Sequence, residues 1–196
     1  IKGTQYHSAL ARASVTHTDW SLVRETRVPL WLVKPGDLPE QGARILASVD
    51  LGGGGADELI VRTGKELARA LHAMLHVFHA FDPLPVIGDA ATWAIRSQRL
   101  PIEEMREKLR AERAEALAML AGRHGSATSQ RLLKSGPAPE LLPGIATELG
   151  VSLVVLGVNG GRDRHRGAIG STAEAVLDHV PCDMLVVPAV GDGDGT

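Results

Sequence analysis

The sequence has few of the features that would tie a protein to a membrane, to nucleic acid or to a disulfide scaffold. Its 196 residues include a single cysteine, Cys182, which excludes an internal disulfide and suits a reducing compartment. A formal net charge of −2 gives no global field for nucleic acid or for a membrane surface. No apolar run is long enough to cross a bilayer, and no signal-peptide pattern opens the chain. These absences predict a soluble cytoplasmic protein.

Aromatic residues are also scarce. They make up 3% of the chain, whereas hydrophobic residues of all kinds make up 44%. A core must therefore be built mainly from Leu, Val, Ile and Ala. The length is enough for one complete α/β domain and part of another.

A glycine-rich stretch near the end of the chain carries the main functional signal. An apolar run at 153–156 is followed by Gly157-x2-Gly160-x9-Gly170-Ser171. Glycine has no Cβ, so we expect Gly157 and Gly160 to adopt positive φ and let the backbone approach a ligand. Ser171 predicts a helix N-cap, and the first turn after it leaves backbone N–H groups and a positive dipole end for an anion. The stretch therefore predicts a phosphate site.

The spacing of these glycines resembles the nucleotide-binding loop of the universal stress protein family, and residues 173–177, 179–182 and 184–187 are similar to the same family. The resemblance implies an ATP site, with Mg2+ as an accompanying ion. In the family an aspartate that ends the first strand contacts the nucleoside, and a residue that ends the second strand lines the base; here these are Asp50 and Ala80. The implied nucleotide-binding residues are Asp50, Ala80, Gly157, Gly160, Gly170, Ser171 and Thr172.

Two simpler interpretations stay open beside the nucleotide site. The glycine stretch is also compatible with a β–α turn that binds nothing, since such turns serve plain chain geometry. Asp50 precedes a Gly-rich turn, where aspartate often caps or closes the turn.

Strand and helix patterns alternate from residue 43 onward, which predicts an α/β fold: an open, doubly wound, parallel five-stranded sheet with right-handed crossovers. Two predicted strands are apolar without alternation, as expected when helices cover both faces. The predicted strands are 44–49, 75–81, 129–133, 153–156 and 183–187. The predicted helices are 56–74, 101–122, 136–149 and 171–179. On the second helix we expect Ile102, Met105, Leu109, Leu117 and Leu120 to form one apolar face.

Residues 1–35 resemble the C-terminal tail of a preceding universal stress repeat, as in tandem E-type members, and so form a partial second copy. Tyr6 and Thr16-His17 stand at the motif positions of this copy, so we expect no nucleotide there. The resemblance also implies that strand 28–33 runs beside strand 184–187, within the chain or across a homo-oligomer, where it covers an apolar edge. We assign a tail at 1–35, a linker at 36–42, a complete universal stress domain at 43–190 and a disordered tail at 191–196.

The sequence predicts no catalytic or metal-binding residues. A zinc site is considered for His72, His76 and His79. A change from helix to strand separates His79 from the other two, and no further ligand in the sequence completes the set. There is no P-loop motif, and the dinucleotide pattern in the glycines at 52–55 fails at Asp57.

We therefore predict an ATP-binding universal stress protein that acts as a regulatory or binding module of the stress response. The main alternative is an interaction module of the same fold without a nucleotide, and a flavin or NAD enzyme is a weaker one. No general base or pair of Mg2+ carboxylates is evident, so fast hydrolysis is not expected. The resemblance leaves slow hydrolysis or autophosphorylation open, with Ser171 and Thr172 as the nearest hydroxyls.

Overall fold

The computed structural model of the chain describes residues 2–3, 23, 27–34, 42–52, 55–81, 102–124, 129–158, 176 and 179–188. The predictions for Gly160, Gly170, Ser171, Thr172 and the tail at 191–196 lie outside these residues. In the N-terminal segment, Val23 is described and helical.

One sheet organises the described residues. Its strands are β1 (Lys2–Gly3), β2 (Leu30–Val33), β3 (Arg44–Ser48), β4 (Met74–Phe81), β5 (Gln130–Ser135), β6 (Val151–Val158) and β7 (Asp183–Pro188). The described helices are α1 (Gly55–Ala70), α2 (Ile102–Arg123) and α3 (Ala138–Glu148), and Val176 is also helical. The strand order across the sheet is β1-β2-β7-β6-β3-β4-β5.

The predicted fold class is confirmed. Strands β7, β6, β3, β4 and β5 pair in parallel and form the five-stranded sheet expected of a doubly wound α/β domain. Two further strands from the N-terminal segment extend this sheet at its β7 end. There β2 pairs with β7 in the antiparallel sense, and β1 pairs with β2 in parallel.

Helices cover both faces of the sheet and bury two sets of mostly aliphatic side chains. The α3-side core consists of Val23, Leu32, Leu46, Phe78, Leu142, Ile145, Ala146, Val151, Val154, Leu156, Val158, Val176, Val180, Met184 and Val186. The α1-side core, which α1 and α2 cover, consists of Ile45, Ala47, Val49, Ile60, Val61, Ala68, Leu75, Val77, Leu117, Leu120, Ala121, Leu153, Val155, Leu185 and Val187. Phe78 is the one aromatic residue in these two sets, so the aliphatic core follows the composition.

The seam between β2 and β7 joins the N-terminal segment to the main sheet within one chain. Leu30 pairs with Val186 and Leu32 with Met184. The side chain of Asp183 adds two polar contacts: Trp31 Nε1 donates to Oδ2 at 2.9 Å, and the backbone N–H of Lys34 donates to Oδ1 at 2.8 Å. Because Leu32 is buried in the α3-side core, the segment shares the core of the domain.

Helix α1 is shorter than predicted, since it ends at Ala70 and Met74 begins β4. The chain turns at His72, whose φ of +50° is left-handed. Apolar spacing did not reveal this end, because Leu71 falls on the expected face yet is 38% exposed. Within α1, Gly64 is buried, and a Cβ there would lie 3.1 Å from Leu75 Cδ1. This glycine weakens the helix intrinsically but lets it lie close to the sheet.

The apolar face predicted for α2 is correct only in its C-terminal half. Leu117 and Leu120 are buried, whereas Met105 is 56% exposed. At 22 residues the helix is about 33 Å long, against about 26 Å for the 8-residue strand β4. A helix that much longer than its strand cannot bury its whole length on the sheet.

Candidate functional site

Three of the predicted site residues lie within two residues of the ends of neighbouring strands, at one edge of the sheet. Strand β3 lies between β6 and β4, and Ser48 pairs with Leu156 on one side and Phe78 on the other. Gly157 is one residue beyond Leu156, Ala80 is two beyond Phe78 and Asp50 is two beyond Ser48. All three therefore lie at the carboxyl edge of parallel strands, where ligands bind in open α/β sheets.

Gly157 does not have the conformation that we expected. It lies inside β6 and pairs with Val187, and it is not among the described glycines with positive φ. A Cβ at this position would lie 3.0 Å from Ile60 Cδ1, so helix α1 occupies the space that a side chain would need. The expectation of a positive φ was wrong here, and close helix packing gives this glycine a structural reason of its own.

Ala80 lies one residue before the end of β4 and pairs with Lys134 of β5. Its side chain is partly buried against the α3-side core. Asp50 differs from it, because it follows β3 and is exposed. Of these two, Asp50 is the one whose side chain is available to a ligand.

The corner that carries Asp50 is held by a buried carboxylate that the sequence patterns did not assign to the site. Asp57, in the first turn of α1, is 8% exposed. Its Oδ1 accepts a hydrogen bond of 3.0 Å from the backbone N–H of Asp50, and the nearby N–H of Leu51 also favours the charged form of this carboxylate. Leu51 has a φ of +53°, which is uncommon for a residue other than glycine. Asp57 thus satisfies the backbone N–H of Asp50 beside a sharp turn.

A buried histidine holds the residue before Asp50. His79 of β4 is 3% exposed, and its Nδ1 lies 2.9 Å from the carbonyl oxygen of Val49. Because a carbonyl only accepts, Nδ1 carries the proton and Nε2 is a bare acceptor in the neutral ring. The N–H of Val49 in turn donates to the carbonyl of Phe78 at 2.9 Å. Side chains from α1 and β4 therefore hold both ends of the peptide group between Val49 and Asp50, next to the left-handed Leu51.

Gly52 completes the corner. A Cβ at this position would lie 3.2 Å from Asp50 Oδ2, so the absence of a side chain leaves room for the Asp50 carboxylate. The dinucleotide pattern considered for the glycines at 52–55 did not suggest this role.

Burial controls the charge of these groups. It raises the pKa of Asp57, and the neighbouring Asp50 raises it further, whereas the hydrogen bonds from the backbone N–H groups and His79 oppose the shift. Burial also lowers the pKa of His79, and the Arg113 guanidinium adds to this, while the Val49 carbonyl, Asp50 and Asp57 act in the other direction. His79 is therefore mainly neutral at neutral pH, in keeping with the tautomer above.

The other buried residue of the histidine trio lies on the opposite face of β4. His76 is 2% exposed, and neither ring nitrogen has a hydrogen-bond partner within the described part of the chain. His72 is exposed. Within the described ranges, no group of three or more His, Cys, Asp or Glu side chains could hold a metal ion.

Cys182 packs against the α3-side core, and burial raises the pKa of its thiol to about 12. The thiol therefore stays protonated at neutral pH and is a poor nucleophile. Separately, no described helix is both long and apolar enough to cross a membrane.

Comparisons with known proteins agree with this architecture. A family model described as "Universal stress protein family" matches residues 43–188. Universal stress protein E of Escherichia coli K12 is 28% identical over 95% of this chain and 59% of its own length. The chain thus spans about three fifths of the length of the Universal stress protein E relatives that it matches.

Solved structures give the same result. The crystal structure of a functionally unknown protein from Pseudomonas aeruginosa PAO1 has a TM-score of 0.62 and 26% identity over 95% of this chain and 62% of its own. A universal stress protein solved in complex with cAMP has a TM-score of 0.50 and 21% identity, and covers 76% of this chain and 98% of its own. The latter likeness concerns the fold alone. With the family model matched over most of its length, the chain belongs to the Universal stress protein family, a family of stress-response proteins.

Proposed function

We propose that this chain binds an adenine nucleotide, with ATP as the expected ligand, and acts as a regulatory or binding module of the stress response. The observation that carries the proposal is the shared position of Asp50, Ala80 and Gly157 at the carboxyl ends of three adjacent strands. A crevice at such an edge is the usual ligand site of open α/β sheets.

The exposed side chain and fixed backbone of Asp50 support this proposal. Its side chain is exposed, while its backbone is held by groups that are themselves buried. A carboxylate on a fixed backbone can accept hydrogen bonds from a nucleoside with little loss of conformational freedom.

The phosphates would be bound by residues that follow β6 in the sequence. Gly160 comes two residues after Val158, where β6 ends at the same edge as Asp50. Gly170, Ser171 and Thr172 complete the motif, and backbone N–H groups at a helix start suit phosphate oxygens. The protein of the same fold that was solved with cAMP supports an adenine nucleotide as the class of ligand.

Calorimetric titration with ATP, ADP and cAMP tests the proposal. We expect the wild-type chain to bind ATP, and Gly170→Val to abolish binding because a branched side chain would block the backbone donors. Asp50→Asn should weaken binding by about ten-fold, the effect of losing one charge-assisted hydrogen bond. Glu148→Gln is the matched control: it removes an exposed carboxylate at the last residue of α3, next to Leu149, whose carbonyl accepts from Arg44 at the opposite, amino edge of the sheet, and should bind as the wild type does. Turnover of ATP measured on the same samples would show whether the chain hydrolyses it.

One observation favours a second candidate, an interaction module without a nucleotide. The contact of Ile60 with Gly157 explains that glycine without any ligand. A folded wild-type chain that gives no heat with any of the three nucleotides would contradict the proposal and support this candidate.

The seam also bears on self-association. Because β2 already pairs with the edge of β7, we expect no dimer through that edge, and sedimentation equilibrium would detect one.

A further inference from the structure

We propose that Asp57 and His79 are positioning residues of the nucleotide site: together they hold residues 49–51 in the turn that presents the Asp50 carboxylate to the ligand. The inference rests on the proposed nucleotide binding and adds to it two residues that the glycine motif does not include.

The contacts come from both neighbouring elements. Asp57 reaches the corner from α1, and its Oδ1 accepts the N–H of Asp50. His79 reaches it from β4 and donates to the carbonyl of Val49. Both side chains thus hold the same peptide group, the one between Val49 and Asp50, His79 at its carbonyl and Asp57 at its N–H.

The corner needs this support because its conformation is costly. Leu51 has a left-handed φ of +53° without being a glycine. Such a residue stays in place only when the surrounding contacts determine it. Without the Asp57 carboxylate, the N–H of Asp50 would lose its acceptor, and the turn could relax.

Burial keeps water away from the two hydrogen bonds. Asp57 is 8% exposed and His79 is 3% exposed, so water cannot readily replace either partner. Neither side chain is available as a direct ligand group at the surface. Their effect on a ligand must pass through the backbone of residues 49–51 to Asp50, which is exposed.

His76 provides a matched control on the same strand. It is as deeply buried as His79, at 2% exposed, but it lies on the α3 side of β4, and its ring nitrogens make no hydrogen bond to the described corner residues. A substitution at either position removes a buried imidazole from β4. Only the substitution at position 79 removes the hydrogen bond to Val49.

The test measures ATP affinity by calorimetry, thermal stability, and amide hydrogen exchange at residues 49–52 in the nucleotide-free protein. Asp57→Ala and His79→Leu should weaken ATP binding by about ten- to a hundred-fold, the usual effect of losing a supporting contact. Both should speed the exchange of the Asp50 and Leu51 amides. Asp57→Asn, which keeps an acceptor oxygen, and His79→Asn, which keeps a donor near Nδ1, should recover most of the affinity. His76→Leu should change stability and leave affinity unaltered.

Three results would overturn the inference. The first is that Asp57→Ala and His79→Leu bind ATP as tightly as the wild type does. The second is that His76→Leu loses as much affinity as His79→Leu, and the third is that neither Asn variant recovers affinity. If Asp57→Ala does not fold, the comparison of His79→Leu with His76→Leu decides alone. A wild-type chain that binds no nucleotide is a different result, since it refutes the proposed function itself.

Discussion

The two faces of the sheet bind their helices in different ways. On the α1 side, glycines bring helix and sheet together, since a Cβ at Gly64 would lie 3.1 Å, and one at Gly157 3.0 Å, from a side chain of the other element. Buried polar groups add contacts there through Asp57 and His79. On the α3 side, Gly144 of the helix is exposed and does not face the sheet, and large side chains such as Phe78 fill the space between the two.

The two faces of the domain are therefore stabilised in different ways, and only one of them shapes the candidate site. The α3 side is stabilised by the volume of its side chains, so it tolerates changes that keep that volume. The α1 side is stabilised by the short distance between the helix and the sheet. The same short distance brings the first turn of α1 to the corner that carries Asp50. The face with the tighter geometry is therefore the face that shapes the candidate site.

The largest expected effect on stability is that of a substitution in the α3-side core. Phe78 is fully buried, and Phe78→Ala should lower the free energy of unfolding by about 3–5 kcal/mol because it leaves a cavity. Chemical denaturation would measure the loss. Phe78→Leu keeps most of the volume and should recover the greater part of it. A loss of less than about 1 kcal/mol for Phe78→Ala would show that volume is not what stabilises this face.

Gly157 tests the α1 side. Gly157→Ala should cost about 1–3 kcal/mol because the new methyl group would meet Ile60 Cδ1. Ile60→Val removes that atom, so the cost of Gly157→Ala should be much smaller in the Ile60→Val background. Double-mutant denaturation measures the coupling.

The control for Gly157 is Gly144→Ala, which has free space and lies inside α3. It should stabilise the chain by about 0.5–1 kcal/mol. If Gly157→Ala costs the same with Ile60 or Val at position 60, close packing is not the reason for this glycine.

The pH dependence of the free energy of unfolding tests the lowered pKa values of the two buried histidines of β4. Burial, and then Arg44, lower the pKa of His76 from its ordinary 6.5, and burial lowers the pKa of His79. As the pH falls through 6.5, the unfolded chain takes up these protons first, so the free energy of unfolding falls. The slope is at most about 1.4 kcal/mol per pH unit for each histidine.

Asp57 acts against this trend, since its raised pKa lets the folded chain take up a proton before the unfolded chain does. The comparison of wild type with His76→Leu cancels that contribution. The stability of His76→Leu relative to the wild type should rise as the pH falls from about 8 to about 5.5, as followed by denaturation at each pH. A difference that does not vary with pH would mean that His76 titrates as it does in the unfolded chain.

The smallest expected effect lies at the seam. Asp183→Asn keeps one acceptor oxygen and should lose about 0.5–1.5 kcal/mol, the worth of one hydrogen bond to Trp31 or Lys34. Amide exchange should be faster at residues 30–34 and unaltered at 49–52. Equal loss of protection in both segments would show that the seam and the Asp50 corner do not open independently.

The parallel sheet could be predicted because its signals are local and strong. Apolar runs such as that in β6 and the alternation of strand and helix patterns gave five strands with nearly correct bounds. The exposed Met105 and the early end of α1 could not be found in this way. Periodicity shows which residues share a helix face, but the sheet beside it determines how much of that face is covered.

The candidate site shows the same limit. Asp50 was found because it ends a strand in a pattern typical of a known family. Asp57 carried a weaker signal, an acidic residue in the first turn of a helix, and in the sequence it served only to reject a dinucleotide motif. His79 was considered as a metal ligand, although its Nδ1 contacts the backbone of Val49 instead.

The sequence by itself determined the fold family, the aliphatic character of the core and the edge of the sheet at which Asp50 and Gly157 lie, since each follows from residue types and their order along the chain. The tertiary structure decided what those residues do there. It placed Ile60 against Gly157, Asp57 against the backbone of Asp50, and His79 beside Val49. Such contacts join elements whose distance and angle are set by the packing of both faces, and no local pattern contains that information.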